Sequence, residues 1–215
     1  MSYRYRIAWD WSELEQKFAR AGLPIRAGRP QGGADLKPRD VRPRETAPVI
    51  RSIDPERPSE GVQIVQLRWD LVPFFHKGAL KVKNSLFITA RVEGAPRSHA
   101  FKEPFQHHRC LVPASAFYEW TGLGDAKEMW IVRHVRQPVF CFAGLWEQAD
   151  TTDGLVESFT ILTTSSGPDL IDMDERQPII VRPEHWATWL NPAAPIDELI
   201  RTEARGSLVL SQVEP

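Results

Sequence analysis

Residues 108–120 read HRCLVPASAFYEW, a strand-like apolar run with one acid, Glu119, next to its end. Similar runs stand on both sides of it. APVIRSI (47–53) and VQIVQLRW (62–69) come before, and EMWIVRHV (128–135), PVFCFAGLW (138–146) and SFTILTT (158–164) come after. Gly, Pro and Asp punctuate them, as turns require. Near the N-terminus, Tyr3, Tyr5 and Ile7 alternate with Arg4 and Arg6, the period of a half-buried strand. Helical signals are fewer. Ser12 and Glu15 have capping-box spacing ahead of Leu14, Phe18 and Ala21. A second candidate lies around residues 96–107. A third opens at Pro183, whose missing N–H suits a first helical turn, and runs through Trp186 and Leu190. Many strands with two or three helices predict an α+β fold. Residues 1–215 then form a single compact domain with a curled or barrel-like, mainly antiparallel sheet.

Between Gly22 and Arg44 the chain turns rich in Gly, Pro and Arg and reads as a long basic loop. The formal net charge is only -1, so a nucleic-acid partner requires such a local patch rather than the whole surface. A hydrophobic content of 42% with so small a net charge excludes wholesale disorder. No apolar run reaches the roughly 18 residues of a membrane span, and no secretory apolar region follows the N-terminus. Cys110 and Cys141 sit in apolar segments without metal-ligand spacing, which predicts buried free thiols in a reducing, cytoplasmic setting. No cofactor motif is present, and a monomer is expected.

Several polar groups allow more than one reading. Glu119, between Tyr118 and Trp120, is either a solvent-facing strand residue or a carboxylate in a partly apolar pocket, tuned for acid–base work. His107 and His108 are adjacent, so on a strand they point to opposite faces and cannot chelate together. Asp172, Asp174 and Glu175 form a solvated acidic turn or an acid–base cluster. Thr163, Thr164, Ser165 and Ser166 lack a nucleophile elbow and read as a strand end leading into a helix cap. Trp69 and Trp120 follow polar or charged neighbours and are candidates for stacking on bases.

In this order and spacing, ITARVE (88–93), RCLVPASAFYEW (109–120), FAGLWE (142–147), FTILTT (159–164) and DERQPIIV (174–181) resemble successive blocks of the SOS response-associated peptidase (SRAP) family. LRWDLVP (67–73) is similar to that family's Trp-Gly-Leu-Ile-Pro segment. The resemblance implies a barrel-like α+β domain that recognises abasic sites in single-stranded DNA. In such proteins a cysteine at position 2, exposed when Met1 is removed, closes a stable thiazolidine on the sugar aldehyde. A glutamate, an asparagine and a histidine assist. Carried over, Glu119 matches the glutamate, Arg91 the arginine of Asn-Ala-Arg, and Arg4 the arginine of the N-terminal segment. Trp69 and Trp120 match the aromatics beside the DNA.

The departures fall on polar site positions. Ser2 replaces the cysteine, Asp40 an asparagine, Thr89 the asparagine before Ala-Arg, Asp70 the glycine after Trp69, and Asp174 the histidine. A cysteine is about 3% thiolate at pH 7, whereas a serine hydroxyl is a poor nucleophile without an activating base. The Ser2 α-amine, with a pKa near 7.7–8.0, still permits a Schiff base. Asp40, Asp70 and Asp174 are expected to oppose a phosphate chain. The resulting expectation is a DNA-damage protein that binds single-stranded or abasic DNA without stable cross-linking, its catalytic positions being Ser2, Glu119 and Asp174. The alternatives are a transient Schiff-base lyase, a peptidase-type hydrolase, or a silent protein-interaction module.

Overall fold

The run around residues 108–120 forms two strands, not one. In the computed structural model, which describes residues 4–28, 37–80, 87–122, 127–197 and 199–213, β7 (Arg109–Ala114) and β8 (Ala116–Thr121) belong to different sheets. Ser115 is the corner between them. Its N–H donates to the Arg6 carbonyl at 2.8 Å, and its hydroxyl accepts from the Ala8 N–H at 3.1 Å. One short polar residue thus redirects an otherwise continuous apolar chain.

The smaller sheet has the order β14 (Leu208–Val213), β9 (Glu128–His134), β8, β1 (Tyr5–Ile7), β3 (Arg39–Val41). The larger contains β4 (Thr46–Ser52), β5 (Val62–Trp69), β7, β10 (Phe140–Thr151) and β11 (Gly154–Ser165). Neighbours along this run are antiparallel, but β11 returns to β5 through a parallel pairing, Ser158 beside Arg68 and Phe159 beside Trp69. That pairing closes five strands into a barrel and removes two open edges. Four short strands complete the sheet: β2 (Ile25–Ala27) on β5, β6 (Thr89–Arg91) and β12 (Arg176–Pro178) on β11, and β13 (Ile180–Val181) on β10. Helices are few among the described residues, so the expected barrel-like α+β architecture stands.

Inside the barrel the residues are apolar and tightly fitted. A Cβ on Gly144 would lie 2.9 Å from Cys110 Sγ and 3.2 Å from the Thr160 carbonyl, which explains a glycine at the β10–β7 crossing. Helix α1 (Trp11–Arg20) buries Trp11, Leu14 and Phe18 at helical spacing, and Phe18 stacks on Trp186 with ring centres 4.2 Å apart. Helices α2 (Lys102–His107) and α3 (Trp186–Leu190) close other flanks of the barrel.

Four sequence expectations need correction. Asp10, not Ser12, caps α1, because its carboxylate accepts the Glu13 N–H at 2.6 Å. The stretch from Gly22 to Arg44 is not one loop, since it contributes β2 and β3. Residues after Ser165 lead into turns rather than a helix cap. His107 and His108 lie at the C-terminal end of α2, not on a strand.

Candidate functional site

The register of the smaller sheet builds one polar cluster. Antiparallel pairing sets Arg6 opposite Asp40 on β3, and the Tyr118 N–H donates to the Arg4 carbonyl at 3.0 Å. Asp40 collects the side chains that result. Arg4 Nε donates to Asp40 Oδ2 at 2.9 Å, with a second bond from its terminal nitrogen. The Tyr118 hydroxyl donates to Oδ1 at 2.9 Å, and Arg6 approaches the same oxygen at 3.4 Å. The Arg4 guanidinium also lies 4.6 Å from the centre of the Tyr118 ring. Asp40 is therefore neutralised by two arginines, which corrects the expectation that it opposes a phosphate chain. Tyr118 and Arg6 were missed from the sequence. Their strand periodicity was visible, but the register that aims them at Asp40 was not.

Glu119 follows Tyr118 on β8 and is 1% exposed. The solvent-facing reading is excluded, and the pocket reading is what the fold supports. A carboxylate at this depth is held in a fixed place on β8, as a group that handles protons must be. Trp120 is half-buried and packs with Tyr118, Ala116 and Met129 at the sheet surface. Ser2 lies outside the described residues.

A second cluster lies on the barrel. Thr89 and Arg91 on β6 pair with Ile161 and Thr163 of β11. Across the same strand, Arg176 of β12 binds Glu93 through two bonds of 2.8 Å and the Thr163 carbonyl at 2.7 Å. Asp174 accepts the Arg176 backbone N–H at 2.9 Å, so its carboxylate shapes this turn. Arg91 is exposed, and among the described residues its guanidinium has no hydrogen-bond partner. It is the cation of this cluster left available to an anion.

Trp69 is not a surface aromatic. It is 1% exposed, its indole N–H donates to the Ile88 carbonyl at 2.9 Å, and its ring meets Tyr5 edge-on at 5.1 Å. It thereby joins the strand carrying Arg4 to the segment carrying Thr89 and Arg91, from beneath. The adjacent Asp70 is 2% exposed at φ 122°, with Arg44 and Arg68 at 3.7 and 3.6 Å. Burial pushes its carboxyl up, against the pull of these arginines.

The buried free thiols Cys110 and Cys141 are both raised by desolvation, so neither is a nucleophile in this fold. Among the described residues no group of three or more His, Cys, Asp or Glu is placed to hold a metal, and no helix is long and apolar enough to cross a membrane.

Two solved structures share this architecture. A Bordetella bronchiseptica protein is 18% identical with a TM-score of 0.78, each chain covered completely. A Bacteroides thetaiotaomicron protein is 19% identical with a TM-score of 0.76, over 99% of this chain and 92% of the other. These likenesses establish the fold. Among curated relatives, the abasic site processing protein YoaM of Bacillus subtilis is 34% identical over 129 residues, 59% of this chain and 56% of that protein. The abasic site processing protein YMR114C of Saccharomyces cerevisiae is 25% identical over 206 residues, 89% of this chain and 55% of that protein. YedK of Escherichia coli, likewise an abasic site processing protein, is 32% identical over 58% of this chain and 56% of its own length. The chain thus spans a little over half the length of these relatives. The family model described as SOS response associated peptidase (SRAP) matches residues 1–215, and the chain belongs to that family.

Proposed function

We propose that this protein binds single-stranded DNA at abasic sites and does not seal a stable cross-link to them. The observation that carries the reading is the burial of Glu119 directly beside the strand of Arg4. Tyr118, the residue before Glu119, donates its N–H to the Arg4 carbonyl at 3.0 Å, so the carboxylate belongs to the strand next to Arg4. A buried acid is the kind of group that moves protons in imine chemistry. Exposed Arg91 supports a phosphate contact, and half-buried Trp120 supports a base or sugar contact. The abasic-site processing for which the relatives are named points the same way.

Ser2 decides the outcome. Attack by its α-amine on the ring-opened sugar aldehyde expels water and leaves an imine. Closure by the Ser2 hydroxyl then gives an oxazolidine, which reopens in water, where sulfur would hold. The test is incubation with a single-stranded oligonucleotide containing one abasic site, followed by denaturing electrophoresis. The unmodified protein is expected to give no heat-stable adduct. With borohydride present, a trapped band identifies the imine and hence a transient lyase. Ser2→Cys is expected to produce an adduct that survives heat without reductant. A heat-stable adduct from the unmodified protein overturns the reading, as does failure to bind the oligonucleotide even at low salt.

A further inference from the structure

Strand β14 reads LVLSQV, six residues without a charge, and it forms one edge of the smaller sheet. Exposed sheet edges are usually blunted by charged residues, by proline or by shortness. The opposite edge, β3, follows that rule with three residues that include Arg39 and Asp40. β14 does not. Its phase on β9 decides which backbone groups it leaves over. The Val135 N–H donates to the Ser207 carbonyl, so Val209, Ser211 and Val213 turn their backbone groups toward β9. Leu208, Leu210 and Gln212 turn theirs outward. Asp169 accepts the Leu208 N–H at 3.0 Å, as that phase requires, and so closes the edge at its start. Among the described residues nothing bonds to the outward N–H and carbonyl groups of Leu210 and Gln212. Ser211 and Gln212 are exposed, so this part of the edge is open to solvent.

We propose that β14 pairs antiparallel with β14 of a second copy of this chain, about a two-fold axis through Ser211. In that register Leu210 faces Gln212 of the second copy, and each of the two such pairs exchanges two hydrogen bonds. Neighbouring registers do worse. An axis at Leu210 sets Gln212 against Leu208, whose N–H Asp169 already holds. An axis at Gln212 sets Leu210 beyond Val213, where β14 ends. The side chains favour the same axis. Val209, 47% exposed, stands opposite Val213 of the second copy in the closer, non-hydrogen-bonded kind of pair. Val-Leu-Ser-Gln-Val places its two valines symmetrically about Ser211, the self-complementarity that a two-fold interface demands. So short a pairing makes a small interface and a weak, concentration-dependent dimer, in place of the monomer expected from the sequence. Arg4 and Asp40 lie toward the far edge of the sheet, on β1 and β3, and the pairing leaves them untouched. It stands independently of the DNA reading.

Sedimentation velocity from about 5 μM to about 1 mM, the range of weak complexes, is expected to show the unmodified protein passing from one copy to two. Gln212→Pro removes an outward N–H at an exposed position and leaves the bonds to β9 in place. It deletes half of the bonds between copies, so half-association should move at least about ten-fold higher in concentration. Val209→Lys sets an ammonium against the valine of the second copy and should weaken the dimer similarly. Both variants should melt close to the unmodified protein, since the altered side chains are exposed. Oxidative cross-linking reads the register. The axis brings position 211 to about 4.5 Å from its own copy, within disulfide reach. Cys110 and Cys141 are buried and do not compete. Ser211→Cys is therefore expected to give a reducible dimer in several-fold higher yield than Gln212→Cys, whose side chain faces Leu210 instead. A protein that stays single at the highest concentration overturns the pairing. So does a dimer that Gln212→Pro leaves unweakened, or a cross-link no stronger at 211 than at 212.

Discussion

Tyr5 and Trp69 meet edge to face with their ring centres 5.1 Å apart, and through that contact the two sheets share one core. Tyr5 also touches Phe142 at 6.0 Å, and Trp69 stacks on Phe159 at 6.4 Å. The polar residues of the two clusters therefore stand on neighbours of one aromatic joint: Arg4 beside Tyr5, and Thr89 beside the Ile88 carbonyl that Trp69 holds.

Trp69→Ala is accordingly expected to be a stability variant. Removing a fully buried tryptophan costs about 3–5 kcal/mol through lost burial and the cavity left behind. Trp69→Phe keeps most of the packing and leaves the Ile88 carbonyl its bond from the Ile161 N–H at 3.2 Å, so it should cost only about 0.5–1.5 kcal/mol. Urea denaturation measures both. An alanine variant that keeps its stability while losing DNA binding shows instead that the ring contacts DNA.

Much of this was legible in the sequence, for identifiable reasons. The strands are apolar runs bounded by turn residues, and Glu119 stands in the FYEW string that carries the resemblance. What was hidden depends on register and closure. Nothing in a linear pattern shows that Ser115 sends β8 to another sheet, or that β11 pairs in parallel with β5. Trp69 looked exposed because Arg68 and Asp70 flank it, yet alternation along a strand puts a charged neighbour on the opposite face or folds it inward, as with Asp70. Asp40 looked like an added negative charge because its two arginines lie 36 and 34 residues away.

The Asp40 cluster makes a directional prediction about salt. Asp40→Asn keeps an acceptor for the Tyr118 hydroxyl but releases Arg4 and Arg6 from their shared counter-ion. Each cation made available to a phosphate adds about 0.7 to the salt slope of single-strand binding, so the slope should steepen by up to about 1.4. Affinity at low salt should rise. The stability cost should stay within about 1 kcal/mol, since the arginines are partly solvated. Anisotropy across a salt series measures the slope, and an unchanged slope places Arg4 and Arg6 away from the strand.

Arg91 and Arg176 should separate cleanly although they flank the same strand. Arg91→Ala is expected to weaken single-strand binding for every sequence, lower the salt slope by about 0.7 and leave the melting temperature unchanged. Arg176→Ala breaks the two bonds to Glu93 and the bond to the Thr163 carbonyl, so it should reduce stability by about 1–3 kcal/mol. Equal effects of the two variants on melting temperature contradict this division.

Stability should also carry a histidine signature unrelated to DNA. His134 is 6% exposed, and its Nδ1 accepts the Arg136 backbone N–H at 3.1 Å, which leaves the ring proton on Nε2. Burial lowers its pKa below the ordinary 6.5. Glu203, 3.6 Å from Nε2, works against that shift, while nearby Lys17 and Arg136 reinforce it. Arg182 shares the Glu203 carboxylate at 3.4 Å, and Gln137 stands 3.3 Å from the same ring nitrogen. Since the folded pKa is depressed, the unfolded chain binds a proton that the fold resists as pH drops below 6.5. Stability is full above that value and falls through the window beneath it, with a slope of at most about 1.4 kcal/mol per pH unit for one proton. Asp70, raised by burial, acts in the opposite sense nearer its ordinary 3.8, so the comparison belongs between pH 7.5 and 5. Urea unfolding across that range should show a shallower dependence for His134→Gln than for the unmodified protein. Glu203→Gln removes the group that favours the imidazolium and should make the dependence steeper. Identical slopes in all three proteins mean that His134 stays neutral, or titrates alike, in both states.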